Sequence, residues 1–362
     1  MLIKVTKTTC RSGMRYWITE IIIPILREES AGYTRNHEIP AIFKFLNDYI
    51  SKLKPYLRTI KQTIVIMLRP IYLQPGDKVA LVSPSGITTK EQLDAAAALL
   101  ASWELIPVPG EHVLARDGRM AGTDEERLAD LQAALDAEDV RAIWCMAGDY
   151  GILRIIEDAD YSVFQGNPKW VIGMNDITVL HSKLHSLGIE SLHASMPSNL
   201  QETTQEALTQ LRNFLFGIIS AYATKPHPLN RTGLAEAELI GGMLTWIHSL
   251  HDTRIERDTR GTILFLEDPT DDIYRIDRSI RCMKYAGKFQ HLAGLAVGEF
   301  GRNDDPEFKE RVYHIIHDAV KDYAYPVCFG LPAGHTRGNY PLILGTNAEL
   351  IVQPNGGELK FP

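Results

Sequence analysis

The sequence is poor in cysteine, and its thiols are widely separated. Its four cysteines form no CxxC pair; they are Cys10, Cys145, Cys282 and Cys328. This spacing predicts reduced, mostly buried thiols and argues against a zinc site or a disulfide framework. The sequence also lacks a long apolar run, and the short run at Ile21–Leu26 contains a proline, which makes it a poor signal-peptide core. We therefore expect a cytoplasmic protein with no membrane span.

An excess of basic residues is also absent. The formal net charge of −7 argues against a nucleic-acid partner. The charge is uneven, because residues 1–72 hold 12 Lys and Arg against 5 Asp and Glu; this segment is +7, so the rest must carry −14. A dinucleotide fingerprint is missing too, since Gly148–Gly151 lacks the G-x-G-x-x-G spacing, which argues against NAD and ATP.

The length of 362 residues predicts more than one domain. Residues 1–66 are interpreted as an extension without a catalytic role, although the helical spacing of Ala41–Leu53 leaves a membrane-surface or partner-binding helix open. We predict an α/β domain over residues 67–222, a proline-containing linker over 223–232 and a C-terminal domain over 233–362.

Short buried strands alternate with helices in the first domain. The predicted strands are Lys78–Ser83, Leu105–Val108, Arg141–Met146, Trp170–Ile172 and Gly188–His193. Such alternation predicts a doubly wound parallel sheet. Two of its helices are expected to begin at threonine caps, one at Thr88/Thr89 with Glu91 close behind and one at Thr123. The second domain has fewer helices, and its strands are predicted at Glu238–Ile240, Thr262–Leu266, Gly294–Val297 and Pro326–Phe329, with a closing hairpin or strand pair in Pro341–Val352. It is therefore expected to be smaller, mixed and rich in strand.

One strand-to-helix turn lies within Lys169–His181. The apolar strand stops at Gly173, and a helix is expected to begin near Asp176, so that Asn175 is presented at the tip. This position is the carboxyl edge of a parallel sheet, where α/β proteins bind ligands, and free N–H groups at a helix start favour negative charge. The alternative is an ordinary βα loop with Asp176 as the N-cap.

Two polar residues stand at strand ends or loops of the second domain. Glu267 follows a buried strand, and His335 lies on a loop rich in Gly and Pro, as expected of an acid–base pair. The alternative is that Glu267 pairs with Arg275 or Arg278 and that His335 is an ordinary loop histidine. A metal site is not expected, because no cysteine or carboxylate accompanies the other histidines at ligand spacing.

Several motifs, taken in order, resemble the LD-carboxypeptidase family, serine peptidases of murein (peptidoglycan) recycling. The motifs are Leu73–Asp77, Ser83–Gly86, Ala121–Arg127, Gly173–Thr178, Leu266–Asp268, Tyr274–Arg278 and Gly330–His335. The resemblance implies a Ser–Glu–His triad in a cleft between the two domains. It also implies release of the terminal D-alanine from tetrapeptide stems, a homodimer, and no cofactor or metal. A related branch, the microcin-immunity peptidases, cleaves a toxic peptidyl-nucleotide.

Transferred position by position, the resemblance makes Glu267 the group that orients His335 and makes His335 the general base. Asn175 occupies the nucleophile position. The oxyanion hole and substrate contacts are expected from Gly148, Asp149, Tyr150, Asp176 and Met243.

The sequence departs from the family pattern around this cleft. The family turn G-[FYH]-S-D is replaced by Gly173–Asp176, in which asparagine stands where serine is expected. A carboxamide has no ionisable hydroxyl group and cannot form an acyl-enzyme. Further departures are Ala147–Gly151 for R-G-G-Y-G, His193–Met196 for H-G-P-M and Gly241–Met243 for G-G-N. They place a carboxylate, Asp149, beside the expected oxyanion hole.

Two hypotheses follow. The first is an LD-carboxypeptidase-type hydrolase, in which either His335 activates water directly or one substitution at position 175 is disabling. The second is an inactive paralogue that binds muropeptides or other peptides. A microcin-immunity-type relative is a further alternative.

Overall fold

The computed structural model describes residues 67–301 and 305–362. The predicted extension over residues 1–66, with its helix at Ala41–Leu53, lies outside the described residues. Within the described part of the chain, no helix is both long enough and apolar enough to span a membrane. The cysteines Cys145 and Cys328 are buried as expected, whereas Cys282 is exposed.

The first sheet has six strands in the order β11-β5-β4-β3-β1-β2. Its strands are β1 (Lys78–Val82), β2 (Ile106–Pro109), β3 (Val140–Cys145), β4 (Trp170–Gly173), β5 (Ser191–His193) and β11 (Leu342–Leu344). The first five pair in parallel, whereas β11 is antiparallel to β5. At least one helix lies between each of these parallel strands and the next in sequence, which confirms the predicted α/β sheet.

Helices cover both faces of this sheet. They are α1 (Lys90–Ser102), α2 (Asp124–Asp136), α3 (Ile152–Ile155), α4 (Ser162–Gly166), α5 (Ile177–Ser186) and α6 (Gln205–Leu215). Alternate residues of β1 belong to two different apolar clusters: Leu81 packs with residues of α1 and α6, and Val82 packs with residues of α2 and α5. The sheet is therefore doubly wound.

Capping boxes set the starts of the first two long helices. Thr89 caps α1 and pairs with Gln92, and Thr123 caps α2 and pairs with Glu126. In each case the threonine hydroxyl accepts a backbone N–H, and the third helical residue accepts the cap's own N–H. The expected threonine caps are confirmed, although the partner in α1 is Gln92 and not Glu91.

The second sheet has seven strands in the order β10-β9-β8-β7-β12-β13-β6. Its strands are β6 (Tyr222–Ala223), β7 (Gly233–Met243), β8 (Ile263–Asp268), β9 (Gly294–Phe300), β10 (Val327–Phe329), β12 (Asn347–Gln353) and β13 (Gly356–Lys360). β7 to β10 pair in parallel, and the remaining pairs are antiparallel. Its helices are α7 (Leu244–Ser249), α8 (Ile273–Tyr285) and α9 (Pro306–Val320). The expectation of a mixed, strand-rich second half is confirmed.

The chain passes between the two sheets three times, after β5, after β10 and after β11. The predicted strand pair within Pro341–Val352 is wrong, because β11 pairs with β5 in the first sheet whereas β12 pairs with β7 and β13 in the second. The hairpin is formed one strand later, by β12 and β13. In addition, β6 includes the first residue of the predicted linker. These crossings fix the carboxyl ends of β4 and β8 relative to each other.

Candidate active site

The candidate nucleophile turn is a sharp βα turn at the end of β4. Asn175 adopts a positive φ of 61°, and α5 begins two residues later. A left-handed conformation is uncommon for a residue with a side chain, although Asn tolerates it better than most, and it marks backbone strain at functional sites. The turn places the Asn175 side chain at the carboxyl edge of the sheet, as the sequence predicts.

The carboxamide of Asn175 contacts three groups of the expected catalytic frame. Its Oδ1 accepts hydrogen bonds from the backbone N–H of Asp149 at 3.2 Å and of Asp176 at 2.8 Å. Its Nδ2 lies 2.8 Å from His335 Nε2. The two backbone donors fix the orientation of the amide, since only oxygen accepts from them. The Nδ2 group therefore donates, and His335 Nε2 accepts.

His335 is held from its other side by Glu267. The Nδ1 atom lies 2.6 Å from Glu267 Oε2, and the Glu267 side chain is fully buried at the end of β8. Because Nε2 accepts a hydrogen bond from Asn175, the ring proton lies on Nδ1. The Nδ1–H group donates a hydrogen bond to the Glu267 carboxylate. This is the tautomer that a general base needs. The alternative pairing with arginine is wrong, since Arg275 contacts Asp272 and Arg278 lies over the ring of Tyr274.

Glycines allow the close packing on both sides of the site. A Cβ on Gly148 would lie 2.6 Å from the Cβ of Asn175, and a Cβ on Gly334 would lie 2.8 Å from the Cβ of Glu267. Any side chain at either position would therefore displace the functional residue beside it.

The carboxyl group of Asp176 is buried behind the turn. Its Oδ2 accepts hydrogen bonds from the Ser85 hydroxyl at 2.6 Å and from the Ile152 N–H at 3.0 Å. Burial raises the pKa of Asp176 from 3.8 to about 6. Asp176 stands at the N-cap position of α5, as the alternative predicts, but its backbone is helical and its side chain makes no capping hydrogen bond. The carboxyl group instead ties the β1, β3 and β4 turns together.

The carboxylate of Asp149 does not stand alone at the cleft. Arg119 forms an ion pair with it, with Nη2 at 2.9 and 3.0 Å from the two carboxylate oxygens and Nε at 3.2 Å from one of them. This pair offsets the negative charge that the sequence places beside the oxyanion hole. Sequence reasoning missed Arg119, since it lies in an irregular loop with no motif of its own.

The cleft between these groups has a volume of about 610 Å³, within the range typical of small-ligand sites. Of the predicted site residues, Gly148, Asp149, Asn175 and His335 line it. Tyr150 and Met243 do not line the cleft. Tyr150 stacks on Trp246, and the Met243 N–H donates to Thr178 Oγ1.

Other polar residues that the sequence did not single out also line the cleft. They are Ser195, Ser198, Asn199, Glu202, Thr203, Thr336 and Arg337. The Ser195 hydroxyl accepts from Asn339 Nδ2 at 3.3 Å. Within residues 67–301 and 305–362, no three His, Cys, Asp or Glu side chains are grouped as a metal site would need.

Two family models match the chain. The LD-carboxypeptidase N-terminal domain matches residues 79–194, and the LD-carboxypeptidase C-terminal domain matches residues 236–350. Among curated relatives, a probable murein peptide carboxypeptidase of Bacillus subtilis is 30% identical, covering 80% of this chain and 94% of that protein. A murein tetrapeptide carboxypeptidase of Pseudomonas aeruginosa is also 30% identical, covering 76% of this chain and 94% of that protein.

Solved structures share the fold. The muramoyltetrapeptide carboxypeptidase of Oxalobacter formigenes superposes with a TM-score of 0.70 at 24% identity, covering 78% of this chain and 98% of that one. The two family models together match strands of both sheets, and the resemblance inferred from the motifs is confirmed. The chain belongs to the LD-carboxypeptidase family.

Proposed function

We propose that this chain is an LD-carboxypeptidase-like protein of murein recycling that binds muropeptides or related peptides but has lost efficient serine-type hydrolysis. Its role is recognition of the peptide in the cleft between the two sheets. The relatives named as murein peptide and murein tetrapeptide carboxypeptidases support the ligand class. The polar lining and the volume of the cleft suit a short peptide.

The observation that carries this proposal is the set of bonds made by Asn175. In a serine peptidase, the nucleophile donates to the histidine, and the substrate carbonyl oxygen accepts from the oxyanion hole. Here a single carboxamide occupies both the His335 Nε2 acceptor and the N–H donors of Asp149 and Asp176. It has no hydroxyl group with which to form the acyl intermediate.

The same bonds argue against direct activation of water by His335. A water molecule that is to lose a proton must reach Nε2, and this atom already accepts from Asn175 Nδ2 at 2.8 Å. The orienting pair with Glu267 is present, and the proposal therefore places the loss of catalysis at position 175. Loss of the nucleophile of such a triad costs about 10⁶ in turnover.

The test combines binding and turnover on the full chain. Binding of a murein tetrapeptide is measured by calorimetry, and release of D-alanine is measured for the unaltered chain and for Asn175→Ser. We expect binding by both proteins, no release above background by the unaltered chain, and release by Asn175→Ser. The Asn175→Ala variant is the control, since it removes the carboxamide without adding a nucleophile.

Each other outcome revises the proposal in a specific way. Ordinary turnover by the unaltered chain would contradict the loss of catalysis. Failure of both proteins to bind the tetrapeptide would contradict the ligand class, and binding of a peptidyl-nucleotide instead would favour the microcin-immunity branch. The homodimer and the cytoplasmic location implied by the resemblance remain predictions, and sedimentation of the purified chain tests the first of them.

A further inference from the structure

Arg119 and Arg337 both line the cleft, but only one of them has its charge matched within the protein. The Arg119 guanidinium is bound to the Asp149 carboxylate through Nε and Nη2. Arg337 is exposed, and it forms no ion pair with any residue of 67–301 or 305–362. The cleft therefore presents a guanidinium whose charge no described side chain neutralises.

Hydrogen bonds at its own loop decide which edge of the Arg337 guanidinium is available. Its Nε donates to the carbonyl oxygen of Glu202 at 3.2 Å, and its own carbonyl oxygen accepts from the Thr204 N–H at 2.8 Å. These bonds fasten the loop to the segment that leads into α6. With Nε used in this way, the two Nη groups remain, and together they form the planar fork that binds both oxygens of a carboxylate.

The place of Arg337 in the chain brings this fork close to the candidate catalytic residues. Arg337 follows His335 by two residues in the loop between β10 and β11, and both residues line the cleft. The terminal carboxylate of a peptide lies one residue beyond the carbonyl group of its last peptide bond, a distance of about 3.6 Å along an extended chain. An anchor for that carboxylate must therefore lie near His335, as Arg337 does.

We propose that Arg337 anchors the free terminal carboxylate of the bound peptide and makes the cleft specific for the end of a peptide chain. The inference rests on the proposed function, since it requires a peptide in the cleft. The Glu202 carboxylate also lines the cleft and has no ion-pair partner in the described part of the chain, so it is the anion with which the ligand competes for Arg337. An internal segment of a longer peptide has no carboxylate at this point and gains no such contact.

The test compares a murein tetrapeptide with the same peptide after its terminal carboxylate has been converted to an amide. Both are titrated by calorimetry into the full unaltered chain and into Arg337→Gln and Arg337→Lys. Arg212→Gln is the matched control, because Arg212 does not line the cleft and its guanidinium lies over the ring of Phe216 at 4.8 Å. Glu202→Gln removes the competing anion while keeping the backbone oxygen that accepts from Arg337.

We expect the unaltered chain to bind the acid about 10- to 100-fold more tightly than the amide, the range typical of hydrogen bonds to charged groups. Arg337→Gln should bind both peptides with the affinity that the unaltered chain has for the amide. Arg337→Lys keeps the charge but not the fork, and it should retain only part of the preference. Arg212→Gln and Glu202→Gln should retain the preference in full.

A preference for the acid that survives in Arg337→Gln would overturn the proposal. An equal loss of affinity for acid and amide in that variant would overturn it as well, since it would indicate a role in loop structure alone. Loss of the preference in Arg212→Gln would show that any nearby positive charge suffices. Equal binding of both peptides by the unaltered chain would contradict the anchor and leave the proposed function standing, whereas binding of neither would contradict both.

Discussion

The two halves of the site are built alike but carry different chemistry. On one side, the end of β8 and the loop before β11 hold Glu267 against His335, with Gly334 packed on the carboxylate. On the other side, the turn after β4 holds Asn175 in a left-handed conformation, with Gly148 packed on the carboxamide. The first half pairs a carboxylate with an imidazole, whereas the second presents a carboxamide.

Under the proposed function, the backbone frame of the turn does not depend on a nucleophile. The strained turn, the two N–H donors and the close glycine are all present around a residue that cannot attack a carbonyl carbon. A carboxamide fits this frame because it combines a donor for His335 with an acceptor for the backbone N–H groups. A serine hydroxyl carries both functions on a single oxygen atom.

The largest expected effect comes from changing both halves of the site. A serine at position 175 supplies a nucleophile in one half, and the Glu267 carboxylate is then removed from the other. In an Asn175→Ser background, adding Glu267→Gln should lower D-alanine release by about 10⁴, as the loss of the orienting carboxylate does in other triads. A glutamine amide that donates to Nδ1 would leave the imidazole in the wrong tautomer. Comparable release by the single and the double variant would mean that the Glu267–His335 pair has no catalytic capacity.

The next effect concerns the glycine contact of the Asn175 half. Gly148→Ala would place a Cβ 2.6 Å from the Asn175 Cβ. We expect the free energy of unfolding to fall by about 1–3 kcal/mol, as in other overpacked sites. Gly166→Ala is the matched control, since no atom lies within 4 Å of its added Cβ. Denaturant unfolding of both variants measures their free energies of unfolding. An equal loss at the two positions would contradict the claim that close packing on Asn175 requires a glycine at position 148.

The last effect, similar in size, is a pH dependence that arises behind the Asn175 turn. Burial raises the pKa of Asp176 from 3.8 to about 6, so the folded state holds this proton more tightly than the unfolded state. The contribution of Asp176 to the free energy of unfolding should therefore fall as pH rises from about 4 to about 6, by an amount on the order of 1–3 kcal/mol. Above that window it should be constant.

Asp176→Asn removes this titration while retaining an oxygen for the Ser85 hydroxyl and the Ile152 N–H. Denaturant unfolding across the same pH range should show that the fall attributed to Asp176 is missing from the variant. An identical pH dependence in both proteins would indicate that Asp176 titrates normally in the folded chain.

Much of the fold and part of the site follow from local sequence patterns. Strand positions, the threonine caps of α1 and α2 and the strand-to-helix turn are encoded by neighbouring residues, and they were predicted to within a few positions. The pairing of β11 with β5 was not predicted, because short apolar strands carry no information about which sheet they join. Register and sheet membership are decided by tertiary packing.

The candidate site also has a part that the local sequence predicts and a part that tertiary packing decides. The motifs predicted the positions of Asn175, Glu267 and His335, but the dual bonding of the Asn175 carboxamide depends on how loops distant in sequence converge. Arg119 was missed for the same reason, since its role exists only where its loop meets Asp149. The buried hydrogen bond between Ser85 and Asp176 likewise joins residues that are far apart in the chain.

The central claim, that Asn175 occupies both the histidine and the oxyanion hole, is tested most directly by ¹⁵N NMR of the His335 imidazole. The signal is assigned by its absence in His335→Gln. The account predicts a neutral ring with the proton on Nδ1, bonded to Glu267, and an unprotonated Nε2 that accepts from Asn175. A neutral ring with its proton on Nε2 would contradict the account, because the amide would then have to present its oxygen to His335 and its nitrogen to the two backbone N–H groups.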